Sequence, residues 1–285
     1  GQQKSQAGAV GSPQAISGFD GFGVTARINT FTTSLELDAS DLSLKTLDDW
    51  GLHFRRSYRS AKGFHRVETT STAKWWENNV GAGWSHNLNL HLRTSSGATP
   101  STVAYWDPSG TYRTYSYDST SAGYDWYYRS ATGNGDELGH VLKRDTTTKE
   151  FTLEMAGGAR IEFSAATTTD DQVARVESLV DAMGNIVTFV YDNASVDVGR
   201  LIKVQSPAGD AQHLALTYSG NLITSVELKK NSTVLNSVSF TYNGSNELIT
   251  VTDHASKTVE YEYATDVSEP DSRFITKITN KRGIE

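Results

Sequence analysis

VESLVDAMGNIVTFVY, residues 176–191, has the pattern of a β-hairpin. Val176 and Leu179 stand three apart, Asp181-Ala182-Met183-Gly184 follows, and Val187, Phe189 and Tyr191 then alternate with Thr188 and Val190. Successive side chains of a strand point to opposite faces, so the alternation predicts a strand with Val187, Phe189 and Tyr191 on one side. Asp bonds its own backbone two residues on and Gly takes positive φ without penalty, so Asp181-x-x-Gly184 reads as the reversal between two strands.

The frame repeats. Leu201-x-x-Val204-x-Ser206-x-x-Gly209 leads to Leu214-x-Leu216-x-Tyr218, and Leu248-x-x-Val251-x-Asp253-x-x-Ser256 leads to Val259-x-Tyr261-x-Tyr263. A degenerate copy runs from Ile223-x-x-Val226 to Val238-x-Phe240-x-Tyr242, with Leu228 and Asn231 where Asp and Gly would stand. Phe274-Ile275-x-x-Ile278-x-Asn280-x-x-Gly283 opens one more hairpin that the chain does not finish, so residues 1–285 are expected to be part of a longer protein. The closing tyrosines 191, 218, 242 and 263 lie 27, 24 and 21 residues apart. A period in the twenties marks an array of units each too small to bury its own apolar face. One shared buried face is predicted for Phe189, Leu216, Phe240 and Tyr261, with Thr188, Thr217, Thr241 and Glu260 opposite.

With 285 residues the chain is long enough for a large core. Abundant Thr, Ser, Tyr and Val against two Met and five Pro favours sheet over helix. A formal charge of -7 and pI near 5.5, with no basic cluster, argue against nucleic-acid and anionic-membrane partners. The absence of cysteine removes disulfides, thiolate metal sites and thiol nucleophiles. No apolar run is long enough for a helical membrane span.

Taken in order, residues 1–23 are a Gly/Ser/Gln/Ala-rich flexible lead or linker, and 24–97 form an N-terminal β region preceding the repeats. Residues 98–170 make early, irregular hairpins, and 171–285 the repeats proper. Within 24–45, Leu35, Leu37, Leu42 and Leu44 flank Asp38-Ala39-Ser40-Asp41, which reads as a turn. Leu88-x-Leu90-x-Leu92 reads as a strand entered from Gly81-Ala82-Gly83-Trp84, where paired glycines beside a large ring signal a bulge or a close backbone approach. Val103-x-Tyr105, Asp107-Pro108-Ser109-Gly110 and Arg113-x-Tyr115-x-Tyr117 form an early copy of the hairpin, and Phe151 to Phe163 another. The one helix candidate is Ser71 to Asn78.

The repeated apolar-x-x-apolar-x-Asp-x-x-Gly…Tyr hairpin resembles the YD repeat of Rhs proteins, teneurins and the cocoon component of insecticidal toxin complexes. Phe54-Arg55-Arg56-Ser57-Tyr58-Arg59-Ser60 and Gly81-Ala82-Gly83-Trp84-Ser85-His86-Asn87 are similar to segments that precede such repeats in bacterial Rhs and polymorphic-toxin proteins. Literal Tyr-Asp pairs stand at 117–118, 124–125 and 191–192, whereas Ser219, Asn243 and Ala264 follow Tyr218, Tyr242 and Tyr263. The resemblance spans roughly 24–285. It implies an all-β fold in which successive antiparallel hairpins make a long, curved, spiralling sheet, the start of a hollow shell that often surrounds a toxic C-terminal domain. The family's self-cleaving plug has no counterpart here.

On this basis Asp107, Gly110, Asp181, Gly184, Gly209, Asp253 and Gly283 are the turn residues, and Phe189, Tyr191, Tyr218, Phe240, Tyr242, Tyr261 and Tyr263 the core aromatics. No catalytic constellation stands out. The closest histidines, His86 and His91, lack metal spacing, Ser85 lies in no Gly-x-Ser-x-Gly elbow, and Asp48-Asp49, Asp170-Asp171 and Glu260-x-Glu262 read as loop or solvent-side charges. No enzyme activity, cofactor or metal is therefore expected. Trp84 and Trp106 are expected to be buried, while Trp75, Trp76 and Trp126 are candidates for stacking on a ligand. Two functions follow: a structural shell segment of a secreted or surface-delivered bacterial protein, partnered by downstream repeats and a C-terminal domain of the same polypeptide, or an adhesin-like β domain holding a glycan or protein partner.

Overall fold

The computed structural model describes residues 14–15, 24–29, 34–43, 52–60, 79–106, 112–129, 140–166, 172–192, 199–265 and 273–281. Every regular element among them is a strand, and the fold is all-β with antiparallel pairing. The strands form two sheets of five and sixteen.

The five-stranded sheet holds β1 (Gln14–Ala15), β2 (Val24–Asn29), β3 (Ser34–Ser43), β4 (His53–Arg59) and β5 (Trp84–His86), in chain order. Asp38-Ala39-Ser40-Asp41 is no turn. It lies within β3, which runs unbroken past β4 except for a bulge between Ser40 and Leu42. The polar string survives in a strand because its members face different ways: Ala39 and Leu42 are buried, Asp38 and Ser40 are exposed, and Asp41 meets a buried arginine.

The sixteen-stranded sheet begins as a closed ring. β6 (His91–Thr94), β7 (Thr102–Trp106), β8 (Tyr112–Ser121), β9 (Tyr124–Arg129), β10 (Val141–Asp145), β11 (Phe151–Glu154) and β12 (Arg160–Phe163) pair in succession. β13 (Val173–Val180) then lies along β12 on one edge and, through Val173–Arg175, returns to β6 on the other. An eight-strand ring is just wide enough for side chains to fill. Its interior holds Leu92, Val103, Tyr105, Tyr115, Tyr127, Leu142, Phe151, Leu153, Ile161 and Phe163. One ion pair is sealed among them. Arg144 donates to Asp125 at 3.2 Å and to the Ala98 carbonyl at 2.8 Å, and Asp125 accepts from Thr120 at 2.6 Å. Leu88 and Leu90 are buried but precede β6, so that strand is shorter than the alternation suggests.

The repeats leave the ring from β13, whose Ser178–Val180 pair with β14 (Ile186–Tyr191). β15 (Leu201–Ser206), β16 (Gly209–Ser219), β17 (Leu222–Lys230), β18 (Thr233–Tyr242), β19 (Leu248–Asp253), β20 (Thr258–Thr265) and β21 (Arg273–Lys281) follow as a meander. Phe189, Leu216, Phe240 and Tyr261 are buried, Thr217 and Thr241 are exposed, and Thr188 and Glu260 are partly exposed. The buried face of β17–β21 is covered by the five-stranded sheet, with Phe54, Arg56, Tyr58, Trp84 and His86 joining the same core.

Candidate functional site

Each repeat is closed by its tyrosine. The hydroxyl of Tyr191 donates to the Val176 carbonyl at 2.8 Å, Tyr218 to Leu201 at 2.8 Å, Tyr242 to Ile223 at 2.6 Å and Tyr263 to Leu248 at 2.8 Å. The four acceptors are the first apolar residues of the four sequence repeats. A β-bulge precedes every one of these tyrosines, between Val190 and Tyr191, Thr217 and Tyr218, Thr241 and Tyr242, and Glu262 and Tyr263. A bulge interrupts the ladder and increases local twist. The hydroxyl thus ties the two ends of each hairpin at the site where the ladder slips. Burial pushes all four phenols above their ordinary pKa, which keeps them protonated as donors. Arg175 and Arg200, each one residue before an acceptor, lie over Tyr191 and Tyr218 at 4.5 and 5.2 Å from the ring centres.

The turns use one device with interchangeable residues. Asp181 Oδ1 accepts the amides of Met183 and Asn185 at 2.8 Å each, and Gly184 takes φ +88°. Asp253 does the same for Ala255 and Lys257, with Ser256 at φ +61°. At the next corner Ser206 accepts the Ala208 amide and Gly209 sits at φ +65°, while in the degenerate copy Asn231 supplies the positive φ, at +52°. After Tyr191, Asp192 holds Arg200 through its carboxylate, accepting the Arg200 amide at 2.7 Å. Asn243 occupies the matching place after Tyr242 and accepts the amides of Ser245 and Glu247. The departure from Tyr-Asp at 242–243 therefore keeps the turn chemistry. Asp107, Gly110 and Gly283 lie outside the described residues, as do Trp75, Trp76 and the helix candidate 71–78.

The two upstream segments meet each other and then the repeats. Arg56, Ser57 and Tyr58 pair with His86, Ser85 and Trp84 across β4–β5. The Arg56 guanidinium is fully buried, bonds both Asp41 carboxylate oxygens at 2.5 and 2.9 Å, and lies over Trp84 at 4.7 Å and Phe240 at 5.4 Å. Burial works to lower its pKa, but Asp41 and Tyr261 outweigh burial and hold it above its ordinary value. Trp84 donates from Nε1 to the Tyr263 hydroxyl at 3.0 Å and packs edge-on against Tyr261 at 5.1 Å. Tyr58 accepts the Ile275 amide at 3.3 Å, Ala82 donates to the Asn246 carbonyl at 3.2 Å, and Ile223 donates to the Asn79 carbonyl at 2.8 Å. Gly81 makes the approach sterically feasible, since a Cβ there would lie 2.9 Å from the Leu248 amide nitrogen.

No group of three or more His, Cys, Asp or Glu able to hold a metal occurs among the described residues. His86 and His91 stand on different sheets. Glu262 pairs with Lys277 on the surface, and Asp48-Asp49 and Asp170-Asp171 lie outside the described residues. No helix among the described residues is long and apolar enough to cross a membrane.

The aromatics distribute differently from expectation. Trp84 is buried, but Trp106 is only partly so. It lies on the ring's outer face, with His91 stacked against one side at 5.9 Å and Tyr112 against the other at 4.9 Å. The phase of the Tyr105-Trp106 doublet decides this: Tyr105 takes the inward position against Phe163, so its neighbour must face out. Tyr112 is 59% exposed. Trp126 donates to the Ser121 carbonyl at 3.3 Å and leans edge-on against Tyr124.

No protein-family model matches the chain, and no curated protein matches its sequence. Among solved structures, TcdB2-TccC3 without its hypervariable C-terminal region is similar at a TM-score of 0.54 and 12% identity, over 88% of this chain and 16% of that one. The N-terminal domain of the effector protein SpvB from Salmonella typhimurium strain LT2 aligns at a TM-score of 0.40 and 12% identity, over 84% of this chain and 98% of that one. The first likeness is one of fold, and this chain spans 16% of the TcdB2-TccC3 chain's length.

Proposed function

We propose that this chain is a non-enzymatic wall segment of a larger β-shell in a secreted or surface-delivered bacterial protein, and that the wall encloses or carries another segment of the same polypeptide. The observation that carries this reading is the series of hairpins, each tied by a tyrosine hydroxyl to its own first strand and each bulged at the tie. Such a series grows by adding units without needing a new kind of contact. The fold likeness to 16% of TcdB2-TccC3, a chain solved without a hypervariable C-terminal region, fits a wall that continues beyond this stretch. The partners on this reading are further repeats and a C-terminal domain.

The test is protease protection in the full-length natural polypeptide. A segment following the repeats should resist protease while the repeats are intact and become cleavable when the tyrosine ties are broken. Cleavage of that segment at the same rate in both forms would refute enclosure. A second reading, a surface that holds a glycan or protein partner, is favoured by Tyr112 stacked on Trp106. Saturable glycan binding lost in Tyr112→Ala, with no protected segment, would select it.

A further inference from the structure

His86 stands in the layer where the five-stranded sheet meets the repeats. Its ring is buried and stacks on Phe54 at 5.2 Å, and Phe54 packs against Phe240 of β18. Nδ1 accepts the Leu88 amide at 3.3 Å, which puts the single ring proton on Nε2. Nε2 is buried and meets no acceptor among the described residues. Directly across the β4–β5 ladder is Arg56, a fixed cation whose carboxylate partner, Asp41, is already engaged through both oxygens.

From this geometry we infer that His86 is an acid-sensitive latch, and that its protonation releases the five-stranded sheet from the face of β17–β21. A second ring proton would sit on Nδ1 and oppose the Leu88 N–H, turning an accepted bond into a clash of donors. It would also bury a positive charge against the ring of Phe54, itself packed on Phe240, where no carboxylate among the described residues bonds the imidazole. Undocking relieves both conflicts by exposing the ring.

The direction of the effect follows from linkage. Burial lowers the His86 pKa to about 3, against 6.5 when exposed, so the docked form binds fewer protons between those values. Docking is at full strength above the exposed pKa and weakens about tenfold for each pH unit below it, or roughly 30-fold at pH 5. Among the described residues, the other ionisable groups of the layer are Asp41, Arg56 and Tyr58 from the five-stranded sheet, and Tyr242, Glu247, Tyr261 and Tyr263 from the repeats. Arg56 and the tyrosines are all shifted upward and stay protonated through this range. Asp41 and Glu247 are retained in the variants below and serve as their own control.

The experiment is hydrogen exchange on the full chain from pH 7.5 to 5, corrected for intrinsic rates, read at three amides that cross the contact: Ala82, Ile223 and Ile275. Two variants are compared. His86→Phe keeps the ring stack, and His86→Asn keeps an acceptor for the Leu88 amide. Protection in the wild type should fall roughly 30-fold more than in either variant over this range. Wild-type protection that does not change with pH overturns the inference. So does a fall of the same size in whichever variant folds, because the carboxylates or His91 would then be responsible.

Discussion

Tyr263→Phe removes one oxygen atom and two hydrogen bonds. The hydroxyl donates to the Leu248 carbonyl, closing the last repeat, and accepts from Trp84 Nε1, fastening the five-stranded sheet to it. The ring remains, so no cavity opens and the loss is polar alone. A buried group left without its partner costs about 1–3 kcal/mol, so the variant should lose roughly 2–4 kcal/mol. Tyr218→Phe removes a single bond, to Leu201, and should lose about 1–2 kcal/mol. Tyr112→Phe, on an exposed ring, should stay within about 0.5 kcal/mol of the parent. Urea unfolding followed by circular dichroism and by tryptophan fluorescence gives these values where the two probes coincide. In a thermal scan the Tyr263 variant should melt roughly 5–10 °C lower. A Tyr263→Phe loss no larger than that of Tyr218→Phe would refute the double role of this hydroxyl. Losses below about 0.5 kcal/mol in both would refute the tyrosine ties altogether.

Two further outcomes are expected. Gly184 has φ +88° and open space where a Cβ would stand, so its substitution cost is backbone strain alone. Gly184→Val should therefore be less stable than Gly184→Asn by about 1 kcal/mol or more, and equal urea midpoints would exclude the strain. In the ring, Arg144→Met strands the Asp125 carboxylate in an apolar interior and should cost about 3–5 kcal/mol, most of it regained by adding Asp125→Leu. A double variant as unstable as the single would show that the penalty is not an unpaired charge.

The repeats were legible because every cue in them is local. Alternation sets the face of Phe189 or Leu216, and Asp181-x-x-Gly184 sets the reversal, within a few residues of one another. The same locality explains what the sequence conceals. Ring closure depends on Ala174 pairing with Leu92, a contact that no nearby residue encodes. Asp38-Ala39-Ser40-Asp41 looks like a turn until Arg56, on another strand, supplies the partner that lets Asp41 lie along a buried sheet. For Trp106 the doublet with Tyr105 offers two phases, and only the ring's interior chooses between them. The candidate site was visible in pieces: the tyrosines, the first apolar residues and the Arg56 and Trp84 segments each stand out. The tyrosine-to-carbonyl ties, and the bonds from Trp84 to Tyr263 and from Ile275 to Tyr58, carry no sequence signature of their own.

The bond between Trp84 and Tyr263 spans 179 positions of chain. At a synthesis rate of about 5–20 residues per second, Trp84 leaves the ribosome roughly 10–35 s before the tyrosine that will cover it. The eight-strand ring needs nothing beyond Val180 and can close in that interval. The five-stranded sheet must wait with Phe54, Arg56 and Trp84 uncovered, so these early-made strands, rather than the repeats that follow them, stay longest open to aggregation and to chaperone capture.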